Sequence, residues 1–287
     1  MNEQRVPDSY DQTQRLFAYG EIKANGKTFA VVTSNEIREK LALTERQTVQ
    51  LLTRLVKAAR IQRLQRKLYL IPGRLPPGKT WKPSAYEVLP CYMNCLKATW
   101  QAAGIAALAH HGFSTQVVQK IALYNNVLSG ERKIAGSTFT FIKLPQEKLG
   151  FTSVTHMPGA EANFFYSSRA RTVFDVISDQ KHFSDLPEAY LWLATVAQDK
   201  RTLQEFKKCC LALGSQKAIA RVGFVLAHLG HKTTDLFEHH KKLGSKSLVT
   251  LVPGGRRGVI NEKWGIIVNT SLEQLFKSVE TPDEDDE

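Results

Sequence analysis

Arginine and glutamine side chains recur at helical spacing between residues 44 and 57, a combination suited to reading double-stranded DNA. Arginine pairs bidentately with guanine in the major groove, and glutamine pairs in the same way with adenine. We therefore expect Arg46, Gln47 and Gln50 to lie closest to bases, and Arg54 and Lys57 to contact phosphates. The candidate DNA-binding residues of this segment are Thr44, Arg46, Gln47, Gln50, Thr53, Arg54 and Lys57.

A second basic cluster follows at Arg63, Arg66 and Lys67, where contacts to the DNA backbone are expected. From Ser34 to Arg74 the chain carries ten basic and three acidic residues. Solubilising charge on an exposed helix usually mixes both signs, because residues four apart can then pair. Residues 46–57 contain no acid, so the pattern favours DNA contact over a merely solvated surface.

A helix and a hairpin are needed to position these side chains. Thr44 and Gln47 fit the T-x-x-Q capping box that opens a helix, and the helix is expected to run to about Ala59. The apolar face opposite the polar one is expected to contain Val49, Leu52, Leu55, Val56 and Ala59. The other expected elements are a helix from about Thr13 to Gly20, a strand at 29–32, a helix capped by Ser34, and strands at 61–64 and 68–71. This order predicts a winged helix-turn-helix.

The rest of the chain is expected to form a larger domain, so that the fold class is α+β. Residues 83–113 are expected to be mostly helical, and further helices are expected at 168–177, 187–198, 202–213, 215–229 and 233–242. Alternating or apolar runs predict strands at 120–126, 137–144, 152–157, 162–167, 247–253 and 264–270. The predicted organisation is a disordered leader at 1–12, the winged helix-turn-helix at 13–75, the α+β domain at 76–272 and a flexible acidic tail at 273–287.

Histidine and cysteine positions give little support for a metal site, and no metal is expected. His228 and His231 share a helix face only if Gly230 does not end the helix, and no cysteine or acid completes a zinc set. Of His110 and His111, one is expected to cap a helix end and the other to be exposed. Free thiols are expected at Cys91, Cys95, Cys209 and Cys210.

Two further polar sets have structural interpretations. Arg171 and Asp175 are spaced to pair along a helix, next to Thr172. The loop P-G-G-R-R-G is interpreted as a hairpin loop in preference to an anion-binding turn, and its Arg256 and Arg257 are a possible secondary contact to DNA or to a partner protein. Neither a phosphate-binding glycine loop nor a nucleophile–base pair is evident, so neither a cofactor nor an enzymatic activity is expected.

Charge is distributed unevenly along the 287 residues, whose net value is +12. The last ten residues carry six acids and no base, so the first 277 residues carry +18. A body this basic favours a polyanionic partner such as nucleic acid. Residues 1–20 lack the apolar segment of a secretory signal, and no run approaches the roughly 20 apolar residues of a membrane span. A cytoplasmic location without membrane contact is therefore expected.

Four segments carry a family likeness through their order and spacing. They are KLYLIPGR at 67–74, GIAALAHHGF at 104–113, FFYSSRARTVFDVI at 164–177 and AIARVGFVLAHLG at 218–230. The chain resembles the AbiEi family, the antitoxin half of AbiE-type, type IV toxin–antitoxin operons. Gly104, Ala170 and Val222 depart from the family pattern, which is typical of a divergent branch.

The resemblance implies a winged helix that binds inverted repeats in the operator of its own operon. It also implies a second domain that neutralises a nucleotidyltransferase-like toxin, with or without a stable complex. Two alternatives remain open. One is a winged-helix regulator whose second domain senses a ligand or partner and that has no toxin. The other is an enzyme acting on nucleic acid, such as a restriction-type nuclease, which would need a metal-binding carboxylate cluster.

Overall fold

The computed structural model describes residues 8–76, 80–156, 163–179, 182–183, 186–244 and 247–277. Over these residues helices are combined with three β-sheets, so the expected α+β class is confirmed. Every helix in the described ranges is too short or too polar to cross a membrane.

The chain order of the elements is given by their bounds. The helices are α1 Asp8–Ala24, α2 Ser34–Leu41, α3 Glu45–Lys57, α4 Ala85–Cys95, α5 Gly104–His110, α6 Arg169–Ser178, α7 Leu186–Gln198, α8 Lys200–Leu213, α9 Gln216–His228, α10 Thr234–Lys242 and α11 Leu272–Lys277. The strands are β1 Phe29–Thr33, β2 Gln62–Gln65, β3 Leu68–Pro72, β4 Trp100–Ala103, β5 Ile121–Asn125, β6 Gly130–Ile134, β7 Ser137–Lys143, β8 Thr152–His156, β9 Asn163–Ser167, β10 Val249–Thr250, β11 Val259–Asn261 and β12 Ile266–Val268.

The first six elements, α1 to β3, pack three helices against an antiparallel sheet of order β1-β3-β2. In this sheet Ala30 lies opposite Ile71, and Arg63 lies opposite Tyr69. The buried core between helices and sheet is formed by Leu16, Ala24, Ala30, Val32, Ile37, Leu41, Leu51, Leu52, Leu55, Ile61 and Ile71. Burial of this apolar set is what holds α3 and the β2–β3 hairpin in place.

Helix α1 differs from the expected short helix at both ends, since it begins at Asp8 and continues past Gly20 to Ala24. Gly20 is a point of close packing and not a helix end. A Cβ atom there would lie 2.4 Å from the Cγ2 atom of Ile71 on β3. The absent side chain therefore lets α1 approach the sheet.

The first residues of α2 also correct an expectation. Thr33, not Ser34, is the N-cap, because its hydroxyl accepts a hydrogen bond from the Glu36 backbone amide at 3.2 Å. Glu36 completes the capping box by accepting from the Thr33 amide at 3.4 Å. The expected box at Thr44 is confirmed, although α3 ends at Lys57 and Ala59 already has a φ of 50°.

Residues 83–113 are mostly helical, as expected, but strand β4 lies between α4 and α5 in the chain, with all its residues buried. Ala102 of β4 pairs in parallel with Tyr166 of β9. The alanines favour a helix by local propensity, but burial in the sheet overrides that preference.

The six-stranded sheet has the order β6-β7-β5-β4-β9-β8, and a third sheet has the order β10-β12-β11. The strands predicted from apolar runs are confirmed as β5, β7, β8, β9, β10 and β12, and the later helices are confirmed as α6 to α10. Strands β6 and β11 were not predicted, since most of their side chains are exposed and their sequences lack an apolar alternation.

The chain packs as two compact units that interleave along the sequence. One contains Met1–Trp100, Asn125–Lys143 and Val154–Phe164, and the other contains Gln101–Tyr124, Leu144–Ser153 and Phe165–Glu287. The consecutive domain boundaries expected from the sequence stay predictions. Residues 8–12 of the expected leader are helical, as are residues 273–277 of the expected tail. Residues 1–7 and 278–287 lie outside the described residues.

Candidate nucleic-acid interface

Helix α3 turns one face inward and leaves the rest of its circumference exposed. The buried residues are Thr48, Leu51, Leu52 and Leu55. Val49, expected in this apolar face, is instead 57% exposed. Thr48 can be buried because its hydroxyl donates to the Thr44 carbonyl at 2.9 Å, which satisfies it within the helix. The buried stripe is therefore rotated away from Val49.

The exposed side of α3 carries a polar strip, defined by Arg46, Gln50, Thr53 and Lys57. At about 1.5 Å rise per residue the strip extends roughly 16 Å along the helix. Among the described residues, neither Arg46 nor Lys57 has an ion-pair partner. The strip therefore offers hydrogen-bond donors and positive charge that the rest of the described chain does not neutralise.

Gln47 is held by the helix cap. Its side-chain Oε1 accepts from the Thr44 amide at 2.9 Å and from the Thr44 hydroxyl at 2.8 Å. The Thr44 hydroxyl in turn accepts from the Gln47 amide at 3.3 Å. Bidentate pairing with adenine needs both the oxygen and the nitrogen of the glutamine amide. In this conformation Gln47 and Thr44 open the helix, and Arg46 and Gln50 are the better placed of the candidate base readers.

Arg54 is exposed, but its side chain also forms a hydrogen bond to helix α1. Its Nη2 donates to the Thr13 hydroxyl of α1 at 3.0 Å. Lys57, one turn later in the same helix, is exposed. The two expected phosphate contacts thus differ, since one also ties α3 to α1.

The β2–β3 hairpin places Arg63, Arg66 and Lys67 on the exposed surface, with the last two in the turn. Lys67 has a φ of 61°, and its carbonyl accepts from the Ser34 amide at 2.9 Å. The Nε of Arg63 donates to the Gln65 carbonyl at 3.4 Å. The hairpin turn is therefore anchored to the start of α2.

A polar contact also joins α1 to α2. Tyr19 Oη and Lys23 Nζ both donate to Oε1 of Glu36. Burial raises the pKa of Tyr19 to about 12, and the neighbouring Glu36 carboxylate adds to this. Burial alone would raise the pKa of Glu36, but the bonds from Lys23 and Tyr19 lower it below its ordinary value. The Glu36 carboxylate is therefore paired with groups of α1, although it lies close in sequence to the basic residues of α3.

In α6 two charged residues, Arg171 and Asp175, are buried. Arg171 Nε donates to Asp175 Oδ1 at 2.6 Å, so the expected pair is confirmed, and Arg171 Nη1 donates to the Lys148 carbonyl at 3.1 Å. Thr172 Oγ1 donates to the Ser167 carbonyl at 3.3 Å. Burial raises the pKa of Asp175 to about 6 even though Arg171 acts against this rise. The set fastens α6 within its unit.

His111 belongs to a neighbouring network that the sequence did not indicate. Its Nε2 lies 2.7 Å from the Ser167 carbonyl, which can only accept, so Nε2 carries the proton. Burial lowers the pKa of His111, which favours this neutral ring. Gln101 Nε2 donates to the Ser167 hydroxyl at 2.9 Å. The exposed His110 stacks on Tyr166 with ring centroids 3.9 Å apart. The structural interpretation of both histidines is retained.

Arg256 and Arg257 lie on an exposed loop between β10 and β11. The two strands expected to form the hairpin correspond to β10 and β12, which pair in parallel, so the expected hairpin loop is wrong. Asn269 Nδ2 donates to the carbonyls of Val252 and Gly255 at 3.1 Å, and Asn269 Oδ1 accepts from the Val252 amide at 3.1 Å. The loop conformation is fixed by Asn269, while a DNA or partner contact of the two arginines stays a prediction.

Over the part of the chain that the structure describes, no three His, Cys, Asp or Glu side chains are grouped as a metal site requires. The four cysteines are free thiols, with Cys209 and Cys210 buried. Burial raises the pKa of both buried thiols. A raised pKa keeps a thiol protonated, which suits a packing role for this pair.

Comparison with known proteins adds information on the fold alone. No family model and no curated protein matches the chain. Among solved structures it is similar to the crystal structure of the RV2827C protein from Mycobacterium tuberculosis, with 14% sequence identity and a TM-score of 0.61. The likeness covers 97% of each chain. The mixed architecture of helices and sheets is thus shared over nearly the whole length.

Proposed function

We propose that this protein is a cytoplasmic DNA-binding antitoxin that represses its own operon and neutralises a nucleotidyltransferase-like toxin. In this proposal residues 8–76 are a winged helix-turn-helix, with α3 as recognition helix and the β2–β3 hairpin as wing. The observation that carries the DNA-binding half is the polar strip of α3, which is exposed, acid-free and without an ion-pair partner among the described residues.

The dimensions of the strip agree with major-groove binding. The groove is about 12 Å wide and admits one α-helix. Arg46 and Gln50 lie toward the N-terminal end of α3, the end that reads base edges in helix-turn-helix proteins. In this proposal Lys57 and the basic hairpin turn contact phosphates next to the groove.

The antitoxin half of the proposal is supported by the sequence resemblance to AbiEi proteins. Three of the four similar segments lie beyond residue 100 and include α5, α6 and α9. Their polar residues Arg171, Thr172 and Asp175 are buried, which accounts for the motif as a packing requirement. The toxin partner is inferred from the resemblance, and the geometry of α6 does not itself identify a contact surface.

DNA binding is tested by gel shift with duplexes from the promoter of the operon. The double variant Arg46→Ala with Gln50→Ala is expected to lose its preference for the operator, since each base contact contributes about 1–3 kcal/mol. The matched control is Arg201→Ala with Gln204→Ala, which removes the same residue types from the exposed side of α8. Undiminished specific binding by the α3 double variant would overturn the assignment of the strip.

Toxin neutralisation is tested by co-expression with the product of the neighbouring gene, which this proposal expects to be a nucleotidyltransferase. Rescue of growth by both the unmodified chain and the α3 double variant is expected, because the base-reading residues are not needed for that step. Growth arrest despite a folded antitoxin would overturn this half of the proposal and leave DNA binding standing.

A second candidate is a regulator that senses a small ligand and has no toxin. A cavity of about 300 Å³ favours it, since residues of β1 and α4, including Phe29, Val31, Pro90 and Cys91, line it within one compact unit. A folded chain that binds its promoter, fails to rescue growth and has no adjacent toxin gene would support this candidate.

A further inference from the structure

Val49 lies on the exposed side of α3, where it is 57% exposed. Residues three and four positions apart are neighbours on a helix surface, so Val49 lies beside Arg46 and Thr53. Gln50 follows it in the chain. An exposed apolar side chain therefore lies at the edge of the polar strip that the proposed function assigns to DNA.

Local stability does not account for a valine at this position. A β-branched side chain is less favourable in a helix than alanine, lysine or glutamine, which commonly fill exposed positions. The core of residues 8–76 is closed by Leu51, Leu52 and Leu55 without Val49. Isolated exposed apolar residues are common on protein surfaces, and Ile22 of α1, 77% exposed, is one. Val49 differs from Ile22 because it borders the candidate base reader Arg46.

We propose that Val49 contacts the C5-methyl group of a thymine in the major groove, an inference that rests on the proposed DNA-binding function. Thymine presents a methyl group in this groove, and apolar side chains are the groups that recognise it. Arg46 and Gln50 suit guanine and adenine, so Val49 adds a third base to those that the strip can distinguish. The preferred site then contains a thymine adjacent to the base pairs that these two residues contact.

The experiment begins with selection of the preferred duplex from a random pool by the full chain at low salt. Each thymine of that duplex is then replaced singly by uracil, which removes the methyl group and keeps the hydrogen-bonding edge. The unmodified protein is expected to lose about fourfold in affinity at one thymine, the magnitude for one buried methyl group. At the other thymines little change is expected.

The variant Val49→Ala is expected to bind the thymine duplex about fourfold more weakly than the unmodified protein and to bind the uracil duplex equally well. Ile22→Ala is the matched control and is expected to retain the full response to uracil. Circular dichroism checks the fold of both variants, whose altered side chains are exposed.

The experiment distinguishes failure of the Val49–thymine contact from failure of DNA binding itself. Specific binding with no response to uracil at any thymine, or an unchanged response in Val49→Ala, overturns the role of Val49 and leaves DNA binding intact. Failure to enrich any duplex from the pool overturns the DNA-binding function, and the thymine contact with it.

Discussion

Helices α3 and α6 begin in the same way, but one arginine of each, Arg46 and Arg171, has opposite surroundings. Each has a hydroxyl residue as N-cap, Thr44 in α3 and Ser168 in α6. Arg46 is exposed, whereas Arg171 is buried and lies 2.6 Å from Asp175. A buried charge requires a charged or hydrogen-bonding partner in the fold, and an exposed charge does not. Arg171 therefore has a structural role within its own unit, whereas Arg46 has no such role and is available to a ligand.

The largest effect is expected from breaking the buried pair. Asp175→Ala leaves the Arg171 guanidinium buried without its carboxylate and is expected to lower the free energy of unfolding by about 3–5 kcal/mol. Urea denaturation measures this change. The control is Glu238→Gln, which removes the exposed pair with Lys241 and is expected to change stability by less than about 1 kcal/mol. Equal effects of the two variants would remove the contrast between buried and exposed charge.

The second-largest effect is expected in the pH dependence of stability, because Asp175 titrates differently in the folded and unfolded states. Burial raises the folded-state pKa of Asp175 from 3.8 to about 6, so the folded state binds this proton more tightly than the unfolded state. The contribution of Asp175 to stability is therefore greatest below pH 4 and falls as pH rises through 6. Between pH 7 and pH 4 the unmodified protein should gain up to about 3 kcal/mol relative to Asp175→Asn, which cannot titrate. A constant difference between the two proteins across this range would contradict the assignment.

Removing the Arg46 side chain should affect DNA binding and not stability, the reverse of what is expected for the buried pair. Arg46→Ala is expected to weaken binding to the preferred duplex by about 2 kcal/mol, or roughly 30-fold. The same change should leave the free energy of unfolding within about 0.5 kcal/mol, because the side chain is exposed. Fluorescence anisotropy and urea denaturation give the two values. A loss of stability close to that of Asp175→Ala would place Arg46 with the structural arginines.

The cap of α3 should give the smallest effect. Thr44→Ala removes the hydroxyl that bonds to Gln47 and is expected to lower the free energy of unfolding by about 1 kcal/mol. Thr44→Ser keeps a hydroxyl and should remain close to the unmodified protein in thermal denaturation. If Thr44→Ala instead weakened DNA binding far more than folding, Thr44 would belong to the interface and not mainly to the cap.

Features set by neighbouring residues could be predicted from the sequence. The capping box at Thr44 joins residues three positions apart, and the β2–β3 hairpin joins adjacent strands, so local patterns were sufficient. The pairing of Arg171 with Asp175 is also local, within one helical turn. The basic surface of the candidate interface was found for the same reason.

Features set by distant contacts could not be predicted. The rotation of α3 that exposes Val49 depends on how the helix packs on α1 and α2. The bond from Arg54 to Thr13 joins residues far apart in the chain, and so does the network of Gln101, His111 and Ser167. In each case the deciding energy is burial against a partner whose position the sequence pattern does not give.

The hydrogen bond between the Ser34 amide and the Lys67 carbonyl has a consequence for association. A loop that becomes ordered only on binding loses conformational entropy at that moment, and affinity falls accordingly. Here the hairpin turn is already fastened to the start of α2 before any ligand arrives. The conformational entropy of the turn is therefore lost during folding and not during binding. If the hairpin acts as a wing, association with DNA should be fast and should change its structure little.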